Sequence, residues 1–563
     1  MIYHCEDHTC NYWDEGEKLP ERCPQCGRKL LRANEADMTG DDWTALGNTL
    51  WYAEASDKKR MVDCFRKAAY LGSAWGVCNL GICMEQGNGV EADPVQAFWL
   101  YQQAVEMGSL NAVCCLGVCY QYGIGTAPDA EKAAELYCKA AEYGSPRGQM
   151  LLARAFHDGI GVEADAAEAV HWVRAAAYQR YGEGMHRLGV CYAYGDGVEQ
   201  NWEHAVHWFR AAAESGVSVA MTDLGYCYEK GCGVEQSWEQ AFSWYRRGAE
   251  CGDPVSMGNL GWCYKMGHGV EQNWQEAVKW YEQGAQCGNL QSMNNLAYCY
   301  DYGEGVEQNE ERALYWYRRG AEAGSDYCMY CLGWNYSNGE GVEQNMTEAI
   351  RWYTAAAEGG NADAMHNLGW HYDHGEGVEQ DMKKAICWYE RAAEQNHPAA
   401  MNSLGECYAM GRGVPRDLET AMEWYRRAAE LGEAMADYNM GWHLEQAGKL
   451  SEAYAHYRKA ADGNDDSAWW ALGRFYENGV VVAQDGKEAR RCYETGEKLG
   501  SVKCKMRLAR CKLLGIGGRR EKKAGLDLCR QALELAKESS EKEDYGYEAE
   551  MNLLRRTIAE NES

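Results

Sequence analysis

Four cysteines near the N-terminus have the spacing of metal ligands. Cys5 and Cys10 are followed, after twelve intervening residues, by Cys23 and Cys26. Each pair predicts a tight turn whose thiolates converge, and two such turns supply a closed tetrahedral site. Four thiolates suit zinc or iron, and a closed site leaves no position for a substrate, so the expected role is structural. His8 offers a competing ligand, since Cys5 and His8 form a Cys-x2-His pair.

The first 30 residues resemble zinc-ribbon and rubredoxin-like domains. The shared residues are CPQCG at 23–27, together with YHC at 3–5 and CNY at 10–12, which frame the first cysteine pair. The resemblance implies structural Zn2+ held by four thiolates, with iron as the alternative metal. So short a segment buries almost no core, and metal binding would then supply most of its folding free energy.

Catalytic motifs elsewhere are weak. Ser56 and Lys59 match the Ser-x-x-Lys of penicillin-recognising enzymes, but the motifs that would complete such a site are absent, and the pair is expected in a turn between helices. The recurring Gly-x-Gly pairs follow predicted helices rather than strands, so they indicate helix ends and not phosphate-binding loops. The sequence therefore predicts no enzyme activity.

One polar cluster could bind a metal or a carboxylate. His366, Trp370, Asp373 and His374 are spaced to share one face of a predicted helix. Two imidazoles and a carboxylate are metal-ligand types. The plainer interpretation is that these are ordinary polar residues of a binding groove.

A sequence repeat of 36 residues makes up most of the chain and contains the cluster around His366. A Leu-Gly or Leu-Ala pair recurs at this step from Leu80 to Leu404, and Leu46, Met440 and Leu508 extend the series. About fourteen units follow, covering nearly all of residues 40 to 540. Within each unit the apolar spacing predicts two helices joined by a glycine-rich loop. Such a hairpin cannot bury its apolar stripe alone, so neighbouring units must stack.

The unit resembles the Sel1-like repeat, a longer-looped relative of the tetratricopeptide repeat. The shared motifs are LGYCY at 224–228, GEGV at 303–306 and ALYWY at 313–317. The resemblance implies an all-α, right-handed superhelical solenoid that gathers proteins into complexes without chemistry of its own. The unit at 444–451 departs from the pattern, because LEQAGKLS lacks the long loop and is typical of an ordinary tetratricopeptide turn.

These patterns predict four segments. Residues 1–30 form the metal ribbon, 31–40 a linker, 41–539 the solenoid and 540–563 a capping helix, whose Met551, Leu553, Leu554 and Ile558 lie on one side. A solenoid end needs such a cap with a polar outer face.

Net charge and hydropathy limit the classes of partner and the cellular compartment that we expect for this protein. The formal net charge of -29 repels nucleic acid and favours basic peptides or cationic protein surfaces. No apolar run is long enough to span a membrane, and the first residues lack the apolar core of a secretory signal. We therefore expect a cytoplasmic protein without a membrane span.

The 26 cysteines are expected to be reduced. Thiols three residues after the repeat leucine lie about 8–10 Å apart in stacked helices, too far for a disulfide, and are expected to fill the core. They are Cys83, Cys119, Cys191, Cys227, Cys263, Cys299, Cys407 and Cys511. Secreted cysteine-rich relatives pair two cysteines within each repeat, but here Met257 and Met293 stand opposite Cys251 and Cys287.

Large aromatic residues recur two positions after the repeat leucine. By analogy with the tetratricopeptide pattern, the positions two before and two, five and six after the repeat leucine face a concave groove. The predicted groove residues are Tyr226, Glu229, Trp262, Tyr298, Asp301, Trp334, His366, Trp370, Asp373 and His374. Aromatic rings beside carboxylates favour inserted lysine or arginine side chains. The alternative is that the rings pack laterally between neighbouring helices.

The leading interpretation is a non-catalytic adaptor whose aromatic face binds a protein or peptide with basic and apolar side chains. A hydrolase of the cysteine-rich repeat type is the alternative, but its paired cysteines and signal are missing. Electron transfer through an iron-loaded ribbon is the third hypothesis.

Overall fold

The computed structural model describes residues 2–5, 13–15, 30–33, 35–51, 55–542 and 548–562. It consists of two compact units, Met1–Ser292 and Met293–Ser563. Among the described residues, no helix is long and apolar enough to cross a membrane.

Three short strands pair at the N-terminus. They are β1 (Ile2–Cys5), β2 (Trp13–Glu15) and β3 (Leu30–Ala33). The sheet is antiparallel with β1 in the centre, so Tyr3 lies opposite both Asp14 and Arg32. Strand β3 runs across the predicted boundary at residue 30. Of the predicted metal ligands, Cys10, Cys23 and Cys26 lie outside the described residues, and Cys5 is described only as backbone of β1.

Helical hairpins make up the remainder of the first unit, after a short 3-10 helix at Glu35–Asp37. Odd-numbered helices are the first and even-numbered helices the second of each hairpin. The helices are α1 (Gly40–Thr49), α2 (Ala55–Tyr70), α3 (Ala74–Gln86), α4 (Pro94–Glu106), α5 (Leu110–Tyr122), α6 (Ala130–Glu142), α7 (Pro146–Asp158), α8 (Ala166–Tyr178), α9 (Gly182–Tyr194), α10 (Trp202–Glu214), α11 (Ser218–Lys230), α12 (Trp238–Glu250), α13 (Pro254–Met266) and α14 (Trp274–Gln286).

The second unit continues the pattern, and the division between the units falls within α15. Its helices are α15 (Leu290–Tyr302), α16 (Glu310–Glu322), α17 (Asp326–Asn338), α18 (Met346–Glu358), α19 (Ala362–His374), α20 (Met382–Glu394), α21 (Pro398–Met410), α22 (Leu418–Glu430), α23 (Ala434–Gln446), α24 (Leu450–Asp462), α25 (Asp466–Asn478), α26 (Gly486–Lys498), α27 (Val502–Leu514), α28 (Lys522–Lys542) and α29 (Glu548–Glu562). Pairing α1 to α28 gives the fourteen predicted hairpins.

Local capping fixes where each helix begins and ends. Helix α13 begins after Asp253, whose side chain accepts the Ser256 N–H, and it ends at Gly267 with a φ of 75°. A φ in this range is readily adopted only by glycine, so the residue stops the helix and turns the chain. Helix α14 then begins after Asn273, which accepts the Glu276 N–H at 3.0 Å.

The core repeats a glycine-tyrosine contact. Added to Gly225, a Cβ atom would overlap the ring of Tyr245, which explains why most first helices carry glycine at this position. Equivalent tyrosines of the second helices are fully buried: Tyr101, Tyr137, Tyr245, Tyr281, Tyr317, Tyr353, Tyr389, Tyr425, Tyr457 and Tyr493. The eight predicted core cysteines are buried and form no disulfides, which confirms that prediction.

In the C-terminal half, one turn differs from the regular repeat and one predicted boundary differs from the structure. Only residues 447–449 separate α23 from α24, whereas 267–273 separate α13 from α14, so the short turn predicted there is confirmed. The predicted boundary at residue 540 falls inside α28 rather than before a helix. Helix α29 contacts α27 and α28 and buries Met551 and Leu554 against them.

Candidate functional site

The aromatic residues two positions after the repeat leucine are exposed to different degrees. Tyr226 in the first unit is 45% exposed, and Trp334 and Trp442 in the second are 46% and 39% exposed. Large exposed rings at one register position are typical of interaction surfaces. Trp262, Tyr298 and Trp370 are half-buried, and each of them packs on a neighbouring ring.

Trp262 belongs to a three-ring stack within the first unit. The imidazole of His268 stacks on Trp238 with ring centroids 4.2 Å apart and lies 4.9 Å from Trp262. The indoles of Trp238 and Trp262 are themselves 5.5 Å apart. Trp262 therefore packs partly against the preceding repeat, as in the alternative interpretation of lateral packing between helices.

In the second unit the half-buried rings stack along their own helices. Tyr298 packs on Tyr302 with centroids 4.5 Å apart, and Trp370 packs on His374 at 4.3 Å. Residues four apart lie on the same helix face, so these contacts follow from the helix geometry. The stacking leaves His374 exposed beside the indole of Trp370.

The predicted groove carboxylates bind buried tyrosine hydroxyls. Tyr245 donates to Glu229 at 2.7 Å, and Tyr317 donates to Asp301 at 3.1 Å. Burial raises the pKa of Asp301. The same contact recurs between Tyr101 and Glu85 at 2.6 Å. These carboxylates therefore have a structural role in satisfying a buried hydroxyl.

Asp373 is also engaged inside the protein. It is 4% exposed and accepts a hydrogen bond from Arg412 of the next repeat at 2.9 Å. Arg412 also lies 3.7 Å from Glu406, a residue at the position that carries aromatic rings in neighbouring repeats. Burial raises the pKa of Glu406. Arg412 thus joins two carboxylates of adjacent first helices.

The predicted cluster around His366 does not converge on one point. The His366 ring lies 5.2 Å from that of His397, and its Nε2 lies 3.3 Å from Ser403 Oγ. Burial lowers the pKa of His366 to about 4, which keeps the imidazole neutral near pH 7. Asp373 meets Arg412 instead, and His374 lies on Trp370. Among the residues that the structure describes, no group of three or more metal-ligand side chains is assembled.

Comparison with protein families identifies the repeat. A family model described as the Sel1 repeat matches thirteen ranges, and the hairpin of α1 and α2 precedes the first of them. The chain belongs to the Sel1 repeat family. The matched ranges are 76–109, 112–145, 146–181, 182–217, 218–253, 254–289, 290–325, 326–361, 362–397, 398–433, 434–465, 468–501 and 502–537. Sel1 and tetratricopeptide-like repeat proteins are typically protein-interaction scaffolds.

A solved structure with the Sel1-like repeat fold agrees with this assignment. The crystal structure of c5321, a protective antigen of uropathogenic Escherichia coli, is 29% identical with a TM-score of 0.58, covering 76% of this chain and 94% of that one. A Sel1 repeat protein from Oxalobacter formigenes is 31% identical with a TM-score of 0.40, covering 43% of this chain and 96% of that one. No curated protein matches the sequence.

One Sel1 repeat of the first unit contains a cavity that the sequence analysis missed. The cavity has a volume of about 390 Å³ and lies between α7, α8 and α9. Its apolar wall includes Val173, which occupies the position of the buried tyrosine in most other repeats. Its polar wall includes Arg154, His157 and Arg187. The loss of tyrosine at residue 173 was the sequence signal that could have found it.

A thiol pair in the first unit was also missed. Cys78 and Cys115, from the first helices of adjacent Sel1 repeats, lie beside each other, and Arg147 donates to the Cys115 sulfur at 3.5 Å. Interaction with Cys78, followed by the charge of Arg147, lowers the pKa of Cys115 to about 7. These residues lie outside the ladder three positions after the repeat leucine, which the spacing argument considered.

Proposed function

We propose that this Sel1 repeat protein is a non-catalytic scaffold that binds a peptide or protein segment carrying basic and apolar side chains. The binding surface is formed by exposed aromatic residues of the first helices. The observation that carries the proposal is the exposure of Trp334 and Trp442 at one register position of the second unit, with Tyr226 at the same position in the first.

Charge supports a basic partner. The formal net charge is -29, and an indole or phenol face attracts ammonium and guanidinium groups. The protein's own cations already use such faces: the ammonium of Lys230 lies 6.0 Å from the ring centroid of Tyr226. The carboxylates Glu229, Asp301 and Asp373 contribute to the negative field, while their direct contacts are to Tyr245, Tyr317 and Arg412.

Selection from a displayed peptide library tests this function. The immobilised full chain is expected to enrich peptides with lysine or arginine beside apolar residues. The double substitution Trp334→Ala and Trp442→Ala is expected to weaken their binding at least tenfold, because each exposed ring contributes about 0.5–2 kcal/mol of cation–π attraction and buried apolar area. Affinities of individual peptides would be measured by fluorescence anisotropy.

A matched control removes exposed aromatic rings from second helices. Trp99 on α4 and Tyr315 on α16 are 54% and 53% exposed. The variant with Trp99→Ala and Tyr315→Ala is expected to bind as the wild type does. Equal binding by all three proteins, or enrichment of acidic peptides, would contradict the proposed surface. Far-ultraviolet circular dichroism would show that each variant remains helical.

We also propose that the N-terminal ribbon holds structural zinc through Cys5, Cys10, Cys23 and Cys26. The proposal is supported by the antiparallel sheet of β1, β2 and β3. Cys10 lies in the segment that joins β1 to β2, and Cys23 and Cys26 lie in the segment that joins β2 to β3. Strands that pair across two cysteine-bearing connections suit a site built from two turns.

Removal of the ribbon thiolates tests the metal. The wild type is expected to contain one zinc per chain by plasma emission spectrometry, and Cys23→Ser with Cys26→Ser is expected to contain none. Cys251→Ser with Cys287→Ser is the control, since both of these thiols are exposed. A red, iron-containing protein would favour the electron-transfer alternative, and a wild type without metal would contradict the site.

A further inference from the structure

In several repeats the hydroxyl of the buried tyrosine lies close to two fixed positions of the repeat. One is five residues after the repeat leucine of its own hairpin, as in the contact of Tyr317 with Asp301 at 3.1 Å. The other immediately precedes the repeat leucine of the next hairpin, where Cys331 lies beside Tyr317 and Asn367 beside Tyr353. The tyrosine ring fills the space between these positions.

In the repeat formed by α7 and α8, valine replaces this tyrosine. Val173 is 3% exposed, and the shorter side chain cannot fill the volume of a phenol ring. The two positions that would flank the hydroxyl are His157 and Arg187, and both of them line the 390 Å³ cavity. The following repeat carries Phe209, which needs no hydroxyl partner, and has Ala193 where several repeats have a carboxylate.

The polar wall of the cavity is held in place by a network of ion pairs. His157 Nδ1 lies 2.7 Å from Asp158 and its Nε2 lies 3.3 Å from Asp196. Arg154 pairs with Asp158 at 3.3 Å, and Arg187 pairs with Asp196 at 3.2 Å. Each aspartate therefore already has two cationic or imidazole neighbours. The third carboxylate of the lining, Glu183, accepts the hydroxyl of Tyr181 at 3.2 Å.

The guanidinium groups provide the hydrogen-bonding capacity left for a ligand. Each guanidinium carries five N–H donors in a planar fork, and the ion pairs to Asp158 and Asp196 use only part of it. Such a fork suits a carboxylate, which accepts two hydrogen bonds side by side. The opposite wall is apolar and includes Met150, Ala153 and Val170.

We propose that the cavity beside Val173 binds a small aromatic carboxylate, whose ring takes the place of the missing tyrosine and whose carboxylate accepts hydrogen bonds from Arg187. A volume of about 390 Å³ accommodates one substituted ring, within the usual range of ligand pockets. The binding is independent of the aromatic surface on the first helices.

Titration calorimetry of the full chain with 4-methylbenzoate tests the site. This probe is the tyrosine side chain with a carboxylate in place of the hydroxyl. The wild type is expected to bind one equivalent saturably at millimolar concentration or below, and 4-methylcyclohexanecarboxylate is expected to bind more weakly. Failure of the wild type to bind 4-methylbenzoate overturns the proposal.

Two variants test separately the space that the ligand ring would fill and the guanidinium group that would bind its carboxylate. Val173→Tyr restores the residue of the other repeats and is expected to abolish binding by filling the cavity without lowering the melting temperature. An alanine beside such a tyrosine is already accommodated at Ala297 and Tyr317, so Ala153 can remain. Arg187→Met is expected to weaken the carboxylate about tenfold or more, the loss of one charged hydrogen bond.

The control is Arg210→Met, because Arg210 on α10 contacts Tyr228 and does not line the cavity. Unchanged affinity in Arg210→Met, together with loss in Val173→Tyr, supports the assignment. Binding retained in a helical Val173→Tyr variant overturns it. Because Arg187→Met leaves the apolar wall intact, it remains informative if the tyrosine variant is unstable.

Discussion

Replacing Tyr245 by alanine is expected to destabilise the first unit by about 3–5 kcal/mol. The side chain is fully buried against Gly225, and its hydroxyl donates to Glu229 at 2.7 Å. The substitution removes an aromatic ring from a close-packed core and takes the buried hydroxyl donor from Glu229. Urea unfolding followed by circular dichroism would measure the loss.

Two further tyrosine variants make the comparison specific. Tyr226→Ala, in the same hairpin, removes a ring that is 45% exposed and is expected to cost about 0.5 kcal/mol or less. Tyr245→Phe keeps the ring and loses only the hydrogen bond to Glu229, at an expected cost of about 1 kcal/mol. Similar losses for Tyr226→Ala and Tyr245→Ala would contradict the assigned core. Since repeat arrays can unfold in steps, hydrogen exchange of α11 and α12 would locate the change.

Replacing Arg507 by methionine is expected to destabilise the C-terminal end by about 3–5 kcal/mol. Arg507 lies 2.6 Å from Glu550 on α29 and 3.3 Å from Glu477 on α25. Glu477 also contacts Arg510 and accepts the hydroxyl of Tyr493 at 2.8 Å. Without the guanidinium, two carboxylates that are about nine-tenths buried lose a cationic partner.

The expected result is faster hydrogen exchange in α29, with smaller changes in α21 and α22. Arg555→Met is the control, because Arg555 on the same helix contacts Asn552 and lies at the surface. A double-mutant cycle with Glu550→Gln would isolate the ion pair from the packing of Met551 and Leu554. Unchanged exchange in α29 after Arg507→Met would show that apolar contacts alone hold the cap.

Helix caps and apolar periodicity could be predicted from the sequence because both depend on residues within one hairpin. Glycines such as Gly267 end the first helices, and asparagines such as Asn273 begin the second ones, through contacts a few residues apart. The stripe that buries Tyr281 follows from the helix period alone. The boundary predicted at residue 540 was less accurate, since the charged end of α28 has no comparable stop signal.

The partners of polar residues could not be predicted in the same way. Glu229 and Asp373 lie at register positions predicted to face the groove. In the structure Glu229 accepts a hydrogen bond from the hydroxyl of Tyr245, and Asp373 pairs with Arg412 of the next hairpin. The burial of a carboxylate depends on which side chains of two stacked helices meet it. Sequence spacing places it on a face but does not decide this contact.

The repeat, its helical hairpins, its core cysteines and its family could be predicted without coordinates, since each rests on a local pattern that recurs many times. The packed helices were needed to show which aromatic rings remain exposed, which carboxylates accept hydrogen bonds from buried tyrosines and where Val173, in place of a tyrosine, leaves a cavity. Exposure, hydrogen-bond partners and cavities depend on which side chains meet when helices pack, both within a hairpin and between stacked hairpins. Spacing along the chain does not specify these contacts.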